Sequence, residues 1–395
     1  MAERTVVFAS GARTPIGSYG GALKDVPPTS LGALVVREAV KRAKVEPADV
    51  GHVVFGHVIH TDSKDMYLSR VAAIEGGLPH DTPALTLNRL CGSGFQAIVS
   101  AAQTILLGDA DIALAGGAES MSRGLYGNPH LRWGQRMGDG STIDMMVGAL
   151  TDPFDSVHMG MTAENVAGRH GISREIQDTL AVESQRRATN AIGKGHFKEQ
   201  IVPVEIKSRK GMVTFDTDEH PRSDASLEGM AKLKPVFKAE GGTVTAGNAS
   251  GINDAAAAVV LVEEGVAKKR GLKPLARLIS YGHAGVDPKF MGIGPVPASK
   301  IALERAGLTI EQIDVIESNE AFAAQACAVA KELGFDAAKV NPNGGAIALG
   351  HPIGATGVIL AIKAIYELQR TGGRYALVTM CIGGGQGIAG ILERL

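Results

Sequence analysis

The first 120 residues alternate short runs of β-branched and other apolar side chains with longer stretches in which apolar positions recur every three or four residues. Runs of the first kind predict buried strands, and the recurrence predicts amphipathic helices. The predicted strands are 6–10, 50–56, 84–87 and 111–115, and the predicted helices are 30–44, 67–76 and a third that begins at Phe95. Strands that alternate with helices form a sheet covered on both faces, so we expect an α/β fold with a mostly parallel sheet.

Residues 121–249 lack this alternation. Prolines and polar side chains surround one predicted helix, from the N-cap Ser173 to residue 192, and two polar strands at 201–206 and 211–215. We interpret this region as an inserted loop domain that provides a binding surface, since it has no long buried strands of its own. A buried strand returns at 255–262, and residues 250–271 are expected to complete the first unit, 1–120.

Residues 272–395 repeat the pattern of the first unit. The predicted strands are 276–281, 315–317, 340–342 and 375–380, and the predicted helices are 297–306, 321–333 and 355–368. In both units a turn, a helix, a buried strand and a glycine turn follow one another, at 91–94 with 116–117 and at 351–354 with 383–385. We expect two similar halves packed face to face, with their turn residues converging at the carboxyl ends of the strands.

Composition narrows the function further. The chain has 395 residues, of which 45% are hydrophobic, and its 40 Lys and Arg nearly balance its 41 Asp and Glu. It has no basic block of the kind that binds nucleic acid, so we expect no nucleic-acid partner. The three cysteines lack C-x-x-C spacing, which argues against a disulfide framework or a zinc site and favours a reducing compartment.

The pattern of the first residues also bears on location. A strand begins almost at once, with no signal or transit segment before it, and we find no transmembrane helix. We therefore expect a cytoplasmic protein without a membrane partner.

Cys91 is the first candidate for chemistry. It stands between a strand and the helix that begins at Phe95, and Gly92 and Gly94 permit a tight turn into that helix. The positive end of a helix favours an anion, so we expect the thiol to titrate below its free value of about 8.5 and to act as a nucleophile. A buried structural cysteine remains the alternative.

Three further turns carry polar side chains to the expected pocket. Asn319 ends a strand, His351 precedes a helix, and Cys381 follows a strand and leads into glycines. Taken singly, each has a structural alternative: a turn residue, a satisfied histidine and a small core residue. The glycine run fits neither G-x-x-x-x-G-K-[ST] nor G-x-G-x-x-G, so we do not interpret it as a phosphate loop.

Together these motifs resemble the thiolase family over essentially the full length, and within it the bacterial biosynthetic acetyl-CoA acetyltransferases and β-ketothiolases. The matching motifs are residues 88–94 (NRLCGSG), 318–322 (SNEAF), 350–354 (GHPIG) and 381–387 (CIGGGQG), with weaker matches at 158–165 and 246–251. The resemblance implies the thiolase fold, a five-layer αβαβα sandwich of two duplicated halves with an inserted loop domain. It also implies a homotetramer built as a dimer of dimers, and we expect residues 131–137 to form an interface.

The resemblance implies reversible Claisen condensation of acetyl-CoA with a second short acyl-CoA, by way of an acyl-enzyme. In that mechanism Cys91 is acylated, His351 takes its proton, and Cys381 removes a proton from C2 of the second acyl-CoA. His351 and a water held by Asn319 stabilise the enolate, while the backbone N–H groups of Cys91 and Gly383 form a second oxyanion hole. No metal and no cofactor beyond the coenzyme A thioesters is expected.

The resemblance assigns coenzyme A to the loop domain. The implied contacts are Leu150, His158, Met159, Arg222, Phe237, Ser250, Gly251, Met291 and Phe322. From the sequence alone Met159, Phe237 and Met291 are equally consistent with core residues, and Arg222 with a solvated surface charge.

Other functions stay open at this point. A degradative 3-ketoacyl-CoA thiolase would use the same motifs, whereas a β-ketoacyl synthase is expected to carry His or Asn in place of Cys381. A non-enzymatic carrier of the same fold would tolerate loss of the catalytic groups, and a hydrolase could use Cys91 and His351 alone. No residue in the sequence indicates the preferred acyl length. The resemblance to β-ketothiolases of polyhydroxyalkanoate synthesis suggests chains longer than acetyl.

Overall fold

The computed structural model describes residues 4–209 and 211–395, so residues 1–3 of the first predicted unit lie outside it. The α-helices are α1 Pro28–Ala43, α2 Leu68–Glu75, α3 Ser93–Leu107, α4 Met145–Ala149, α5 Met159–His170, α6 Arg174–Gly193, α7 Leu227–Ala231, α8 Glu264–Lys269, α9 Pro295–Ala306, α10 Ala323–Leu333, α11 Ala346–Leu349 and α12 Thr356–Thr371. The strands are β1 Val6–Arg13, β2 Gly17–Ser18, β3 His52–Gly56, β4 Ala84–Leu87, β5 Ile112–Ser120, β6 Tyr126–Gly127, β7 Ile143–Asp144, β8 Val204–Ser208, β9 Gly211–Phe215, β10 Asn253–Glu263, β11 Ala276–Gly285, β12 Val315–Ser318, β13 Tyr375–Ile382 and β14 Gln386–Arg394.

The main sheet is mixed. Its strands run in the order β12-β13-β14-β11-β1-β10-β5-β3-β4, and β2 pairs with β10. Only β12 with β13, β3 with β4 and β3 with β5 are parallel, so the prediction of a mostly parallel sheet is wrong. Part of the reason is local: Gly384 and Gly385, with φ of 82° and 86°, turn β13 straight back into the unpredicted strand β14, and two strands joined by such a turn must run antiparallel. The antiparallel pairs of β10 with β1 and β5 join strands that are predicted but whose pairing is not.

The layers follow the predicted sandwich. Helices α3 and α12 pack against each other and against strands of both halves, so they form a central layer. Glycine makes this close approach possible, because a Cβ on Gly94 would lie 2.9 Å from the backbone nitrogen of Val358. Helices α1 and α2 cover the outer face of the N-terminal half, and α9 covers that of the C-terminal half with α10 beside it. The two halves of the sheet, β12-β13-β14-β11 and β1-β10-β5-β3-β4, are joined by just two residue pairs between β1 and β11 and form the two β layers. The five-layer αβαβα fold is thereby confirmed.

One stretch of the described residues, Leu90–Leu107, is long and apolar enough by length and composition to cross a membrane, with a mean hydropathy of 1.4. The sequence analysis did not single it out. In the structure it is mostly α3, whose Phe95, Ile98 and Ile105 are fully buried in the central layer.

Two predicted elements differ from the structure. Residues 340–342 form a single parallel bridge, between Val340 and Ile316, and not a strand; beyond it the side chain of Asn341 hydrogen-bonds the backbone N–H and carbonyl of Ser318. Residues 116–117, expected as a glycine turn, continue β5, which pairs with β10 as far as Ser120.

The inserted region, predicted as a separate domain at 121–249, contacts both halves. Its helices α5 and α6 pack on α10, and α6 also packs on α11. On the other side, a fully buried ion pair of 2.7 Å joins Asp218 to Arg13 at the end of β1. These contacts hold the insertion over the strand ends that carry the predicted site.

Candidate active site

A cavity of about 750 Å³ lies between the insertion and the two halves. Cys91, His351 and Gly383 line it. They follow β4, α11 and β13, respectively. The predicted coenzyme A contacts line it too: Leu150, His158, Met159, Arg222, Phe237, Ser250, Gly251, Met291 and Phe322. Cys381 and Asn319 are fully buried and do not form part of the cavity surface.

A strained turn presents Cys91. Leu90, directly before it, has φ of 46°, a left-handed conformation that costs a non-glycine residue free energy. The turn is held by its neighbours, because Asn88 Oδ1 accepts the Leu90 N–H at 2.8 Å and the Ser93 hydroxyl donates to the Leu90 carbonyl at 2.7 Å. The sulfur therefore faces the cavity in one fixed direction.

The protonation of Cys91 differs from the prediction. Burial raises the pKa of its thiol from 9.0 to about 11, whereas the backbone N–H groups of Gly383 and of Cys91 itself act in the opposite direction. The expected lowering is wrong, because loss of water around the sulfur outweighs the helix dipole. Cys91 is thus a thiol at neutral pH and needs a base before it can attack.

His351 has the protonation state of such a base. Burial lowers its pKa from 6.5 to about 4, so the imidazole is neutral at physiological pH. Its Nδ1 lies 2.7 Å from Oγ1 of Thr356, whose single hydroxyl proton goes to the Pro352 carbonyl at 3.0 Å. With that proton donated to the carbonyl, the hydroxyl oxygen accepts from Nδ1–H and the lone pair of His351 is on Nε2, a tautomer that the donor Nδ2 of Asn319 near Nε2 also favours.

Asn319 lies on the free side of this ring. Its Nδ2 is 3.3 Å from Nε2 of His351, close enough for the amide to hydrogen-bond the ring or a group bound to it. The backbone N–H of His351 donates to Oδ1 of Asn253 at 2.9 Å, which anchors the base to β10. Asn253 was not predicted as a site residue, and neither was Thr356; both lie outside the four quoted motifs.

Cys381 is on β13 and packs among Met159, Met291 and Phe322. Burial, and then the proximity of Cys91, raise the pKa of its thiol. In the resting protein both thiols therefore hold their protons. The two sulfurs nevertheless lie close enough to influence each other's charge.

Gly383 leaves room at the mouth of this site. A Cβ there would lie 2.9 Å from Cε of Met159 and 3.2 Å from Cδ1 of Leu90, both of which line the cavity. The glycine lets a backbone N–H, rather than a side chain, face the sulfur of Cys91.

The wall of the insertion is aromatic and apolar. His158 stacks on Phe237 with ring centroids 4.6 Å apart, and Phe237 meets Phe322 edge to face at 6.3 Å. Nδ1 of His158 also accepts the Gly160 N–H at 3.0 Å and caps α5, so this histidine has a structural role as well. Arg222 is exposed at the edge of the cavity.

A buried carboxyl that the sequence analysis missed lies beneath Cys91. Glu119 accepts backbone N–H groups from Val58, Ile59 and Gly354 at 3.2, 3.0 and 2.9 Å. Burial raises the pKa of this carboxyl from 4.5 to about 8. In the sequence it stands only two positions after the glycine turn expected at 116–117, which by itself indicates no role.

Among the residues that the structure describes, no group of three or more His, Cys, Asp and Glu side chains is placed to hold a metal ion.

Comparisons with known proteins indicate the same family for both halves of the chain. The family model described as "Thiolase, N-terminal domain" matches residues 6–265, and "Thiolase, C-terminal domain" matches residues 272–394. The chain is 69% identical to "Beta-ketothiolase BktB" of Cupriavidus necator over 392 residues, covering 99% of this chain and 100% of that protein. The crystal structure of the Bacillus anthracis acetyl-CoA acetyltransferase superposes with a TM-score of 0.98 at 47% identity over 100% of both chains. The human mitochondrial 3-ketoacyl-CoA thiolase in complex with CoA does so with a TM-score of 0.96 at 46% identity, over 99% of this chain and 98% of that one.

Proposed function

The chain belongs to the thiolase family, and from this premise we propose that its cavity condenses acetyl-CoA with acetyl-CoA or another short acyl-CoA. The products are a 3-ketoacyl-CoA and free CoA, and the same site runs the reverse thiolysis. The observation that carries the proposal is that Cys91, His351 and Gly383 line one cavity, with Nε2 of His351 3.3 Å from the amide of Asn319.

We propose that Cys91 is the nucleophile. Nε2 of His351 takes the thiol proton as the sulfur attacks the thioester carbon, and the bond from that carbon to the sulfur of CoA then breaks. The backbone N–H groups of Gly383 and Cys91, which already face this sulfur, would hold the carbonyl oxygen while it carries negative charge.

We propose that Cys381, whose pKa is raised, donates a proton in the first half-reaction and removes one in the second. As a thiol it donates its proton to the departing CoA thiolate and becomes a thiolate itself. It then removes a proton from C2 of the second acyl-CoA, and the resulting carbanion attacks the acyl group on Cys91. Cys91 leaves as a thiolate and recovers its proton from His351, which restores the starting state.

We propose that Asn319 and His351 together stabilise the enolate oxygen of the second substrate. Asn319 would hold a water or the oxygen itself through Nδ2, whose distance of 3.3 Å from Nε2 of His351 supports a shared binding point. Loss of either group would then raise the barrier for carbon–carbon bond formation.

We also propose that the aromatic wall of the insertion binds pantetheine and that Arg222 contacts the nucleotide end of coenzyme A. The stacked pair His158 and Phe237 supports the first assignment, and the exposure of Arg222 at the cavity edge supports the second. A human relative of this fold has been solved in complex with CoA, which supports testing this cavity for CoA binding.

The oligomeric state, the cellular location and the pathway are proposed from the similarity to relatives. We expect a cytoplasmic homotetramer that serves polyhydroxyalkanoate or short-chain acyl-CoA metabolism, as implied by the similarity to a β-ketothiolase. In the segment 131–137, Leu131, Trp133 and Met137 are 66%, 90% and 90% exposed, which supports an interface there.

A direct experiment tests the proposed chemistry. Incubation with acetyl-CoA should add one acetyl group to Cys91, detected by peptide mass spectrometry, and Cys91→Ala should abolish the label and turnover. Cys327→Ala is the matched control and should keep both. A label on Cys381 instead of Cys91 would contradict the assignment, and release of acetate without a carbon–carbon bond would indicate a hydrolase.

A further inference from the structure

The two thiols face two separate apolar clusters on the walls of the cavity. Cys381 belongs to the cluster of Met159, Met291 and Phe322, on the side of the insertion. Cys91 packs on a different cluster, formed by Ile59, Met121, Met146 and Ile353. We call this second group the Cys91 cluster.

The Cys91 cluster is open to the cavity on one side. Met121 and Ile353 line the cavity, although they are only 2% and 1% exposed, and Ala149 and Leu150 extend the same surface. Ile59 and Met146 lie behind them. The mechanism described above uses none of these side chains, apart from the predicted contact of Leu150 with pantetheine.

The tetrahedral intermediate explains what such a surface would do. Its carbon bears four substituents: Sγ of Cys91, an oxygen, the sulfur of CoA and the acyl chain. The backbone N–H groups of Gly383 and Cys91 would hold the oxygen, and the proposed pantetheine wall would hold the CoA sulfur. The fourth substituent, the acyl chain, is then directed toward the apolar side chains that Cys91 contacts.

The walls of this region are held firmly. The carboxyl oxygens of Glu119 accept the N–H groups of Ile59 and Gly354, which ties the loop that carries Ile59 to the one that carries Ile353. A surface fixed in this way can discriminate by size, since it cannot simply move aside for a longer chain.

We propose that the Cys91 cluster is the acyl subsite of the enzyme, and that Met121, Ile353 and Ala149 set the length of unbranched acyl chain that Cys91 accepts. The proposal rests on the proposed function, because it requires an acyl group on Cys91. Its ligand class is the saturated chain of a short acyl thioester, beyond acetyl.

The test measures acylation of Cys91 directly. Parent and variants are mixed with acetyl-, butanoyl- or hexanoyl-CoA, quenched at short times and analysed by intact-protein mass spectrometry. Met121→Ala enlarges the subsite and should raise the ratio of hexanoyl to acetyl acylation by about fourfold for each methylene newly accommodated. Ala149→Leu fills it and should lower that ratio by a similar factor.

A matched control separates this effect from the loss of a methionine. Met212 is 62% exposed on β9, so Met212→Ala should leave the ratio unchanged. If Met121→Ala does not fold, Ile353→Val, which removes one methylene from the same surface, decides the question together with Ala149→Leu.

The outcomes distinguish the two proposals. If the parent takes no acetyl group at Cys91, the proposed function fails. If the parent is acylated but the enlarging and filling variants keep the parent's ratio, or slow all three substrates alike, the acyl subsite lies elsewhere and this inference is overturned.

Discussion

Nδ1 of His351 lies 2.7 Å from the hydroxyl oxygen of Thr356, which also lies 3.0 Å from the Pro352 carbonyl. With the hydroxyl proton donated to that carbonyl, the oxygen accepts from Nδ1–H and the lone pair of the ring is on Nε2. The donor Nδ2 of Asn319, 3.3 Å from Nε2, favours the same tautomer, so Thr356 orients the ring for the role of a base.

The first prediction tests that contact. Thr356→Val keeps the shape but removes the acceptor for Nδ1–H, so acylation by acetyl-CoA should slow by roughly 10- to 100-fold, as for other groups that orient a histidine. The KM for acetyl-CoA should change little, and Thr356→Ser should restore the rate. Stopped-flow acylation measures this, and an equal loss in the Ser and Val variants would show that packing, rather than the tautomer, is responsible.

The second prediction concerns the amide beside Nε2. Asn319→Ala removes a positioned donor, so condensation should slow by roughly 10²- to 10³-fold. Binding of CoA, measured by calorimetry, should stay close to that of the parent. A variant that instead raised KM with an unchanged kcat would identify Asn319 as a residue of substrate binding.

The third prediction is a pH dependence. Only neutral His351 is a base, and its pKa is lowered to about 4, so the acylation rate constant should hold its value from pH 7 down to about 5. Below pH 4 it should fall about tenfold per pH unit. Rapid-quench acylation after a pH jump measures this profile, and an acid limb centred near 6.5 would show that water reaches the ring.

The same shift affects stability with a defined sign. The unfolded chain binds a proton at His351 below 6.5 and the folded chain only below about 4, so stability falls as the pH drops through this window. The slope is about 1.4 kcal/mol per pH unit at most. Urea unfolding of the parent and of His351→Gln should diverge between pH 6.5 and 4 and run parallel above it.

Much of the site could be predicted because its residues stand in short motifs beside strand ends. Cys91 follows β4, Asn319 follows β12 and Cys381 lies near the end of β13, so strands of both halves bring these three to one place, whereas His351 comes from the turn between α11 and α12. What the sequence did not reveal were groups whose importance depends on distant partners. Glu119 and Asn253 act on loops far away in the chain, and nothing in their neighbours indicates it.

The errors have a physical cause as well. The thiol of Cys91 stands next to a helix start in sequence, but its pKa depends on how completely the fold excludes water, which only the assembled cavity determines. Similarly, β14 follows a glycine run expected only as a turn, so its antiparallel pairs with β13 and β11 were not predicted. The antiparallel pairs of β10 with β1 and β5 join predicted strands, whose relative direction local patterns do not reveal. Local sequence patterns therefore predicted the positions of strands and helices more accurately than the way in which the strands pair.

The fourth prediction concerns assembly. If residues 131–137 join two dimers, light scattering should give about four times the chain mass of 41.0 kDa. Trp133→Glu places a charge on one of the two most exposed apolar side chains of that segment and should reduce the mass to that of a dimer, with acylation of Cys91 retained. Met66→Glu, at another exposed apolar position, is the control. A mass near that of one chain for the parent would reject the tetramer.

The last prediction separates the two thiols by the step that each serves. In Cys381→Ala, His351 is still present, so Cys91 should accept acetyl from acetyl-CoA. Exchange of C2 hydrogens and formation of acetoacetyl-CoA should fall by roughly 10²- to 10⁴-fold, because the group that moves the C2 proton is gone. Cys381 is fully buried, so a residue that served packing alone would instead lower the midpoint of thermal unfolding and leave exchange intact. Deuterium exchange followed by mass spectrometry distinguishes these results, and Cys327→Ala, another thiol packed on the same cluster, controls for packing. If the folded Cys381→Ala protein still exchanges C2 hydrogens at the parent rate, the base for that step must be His351.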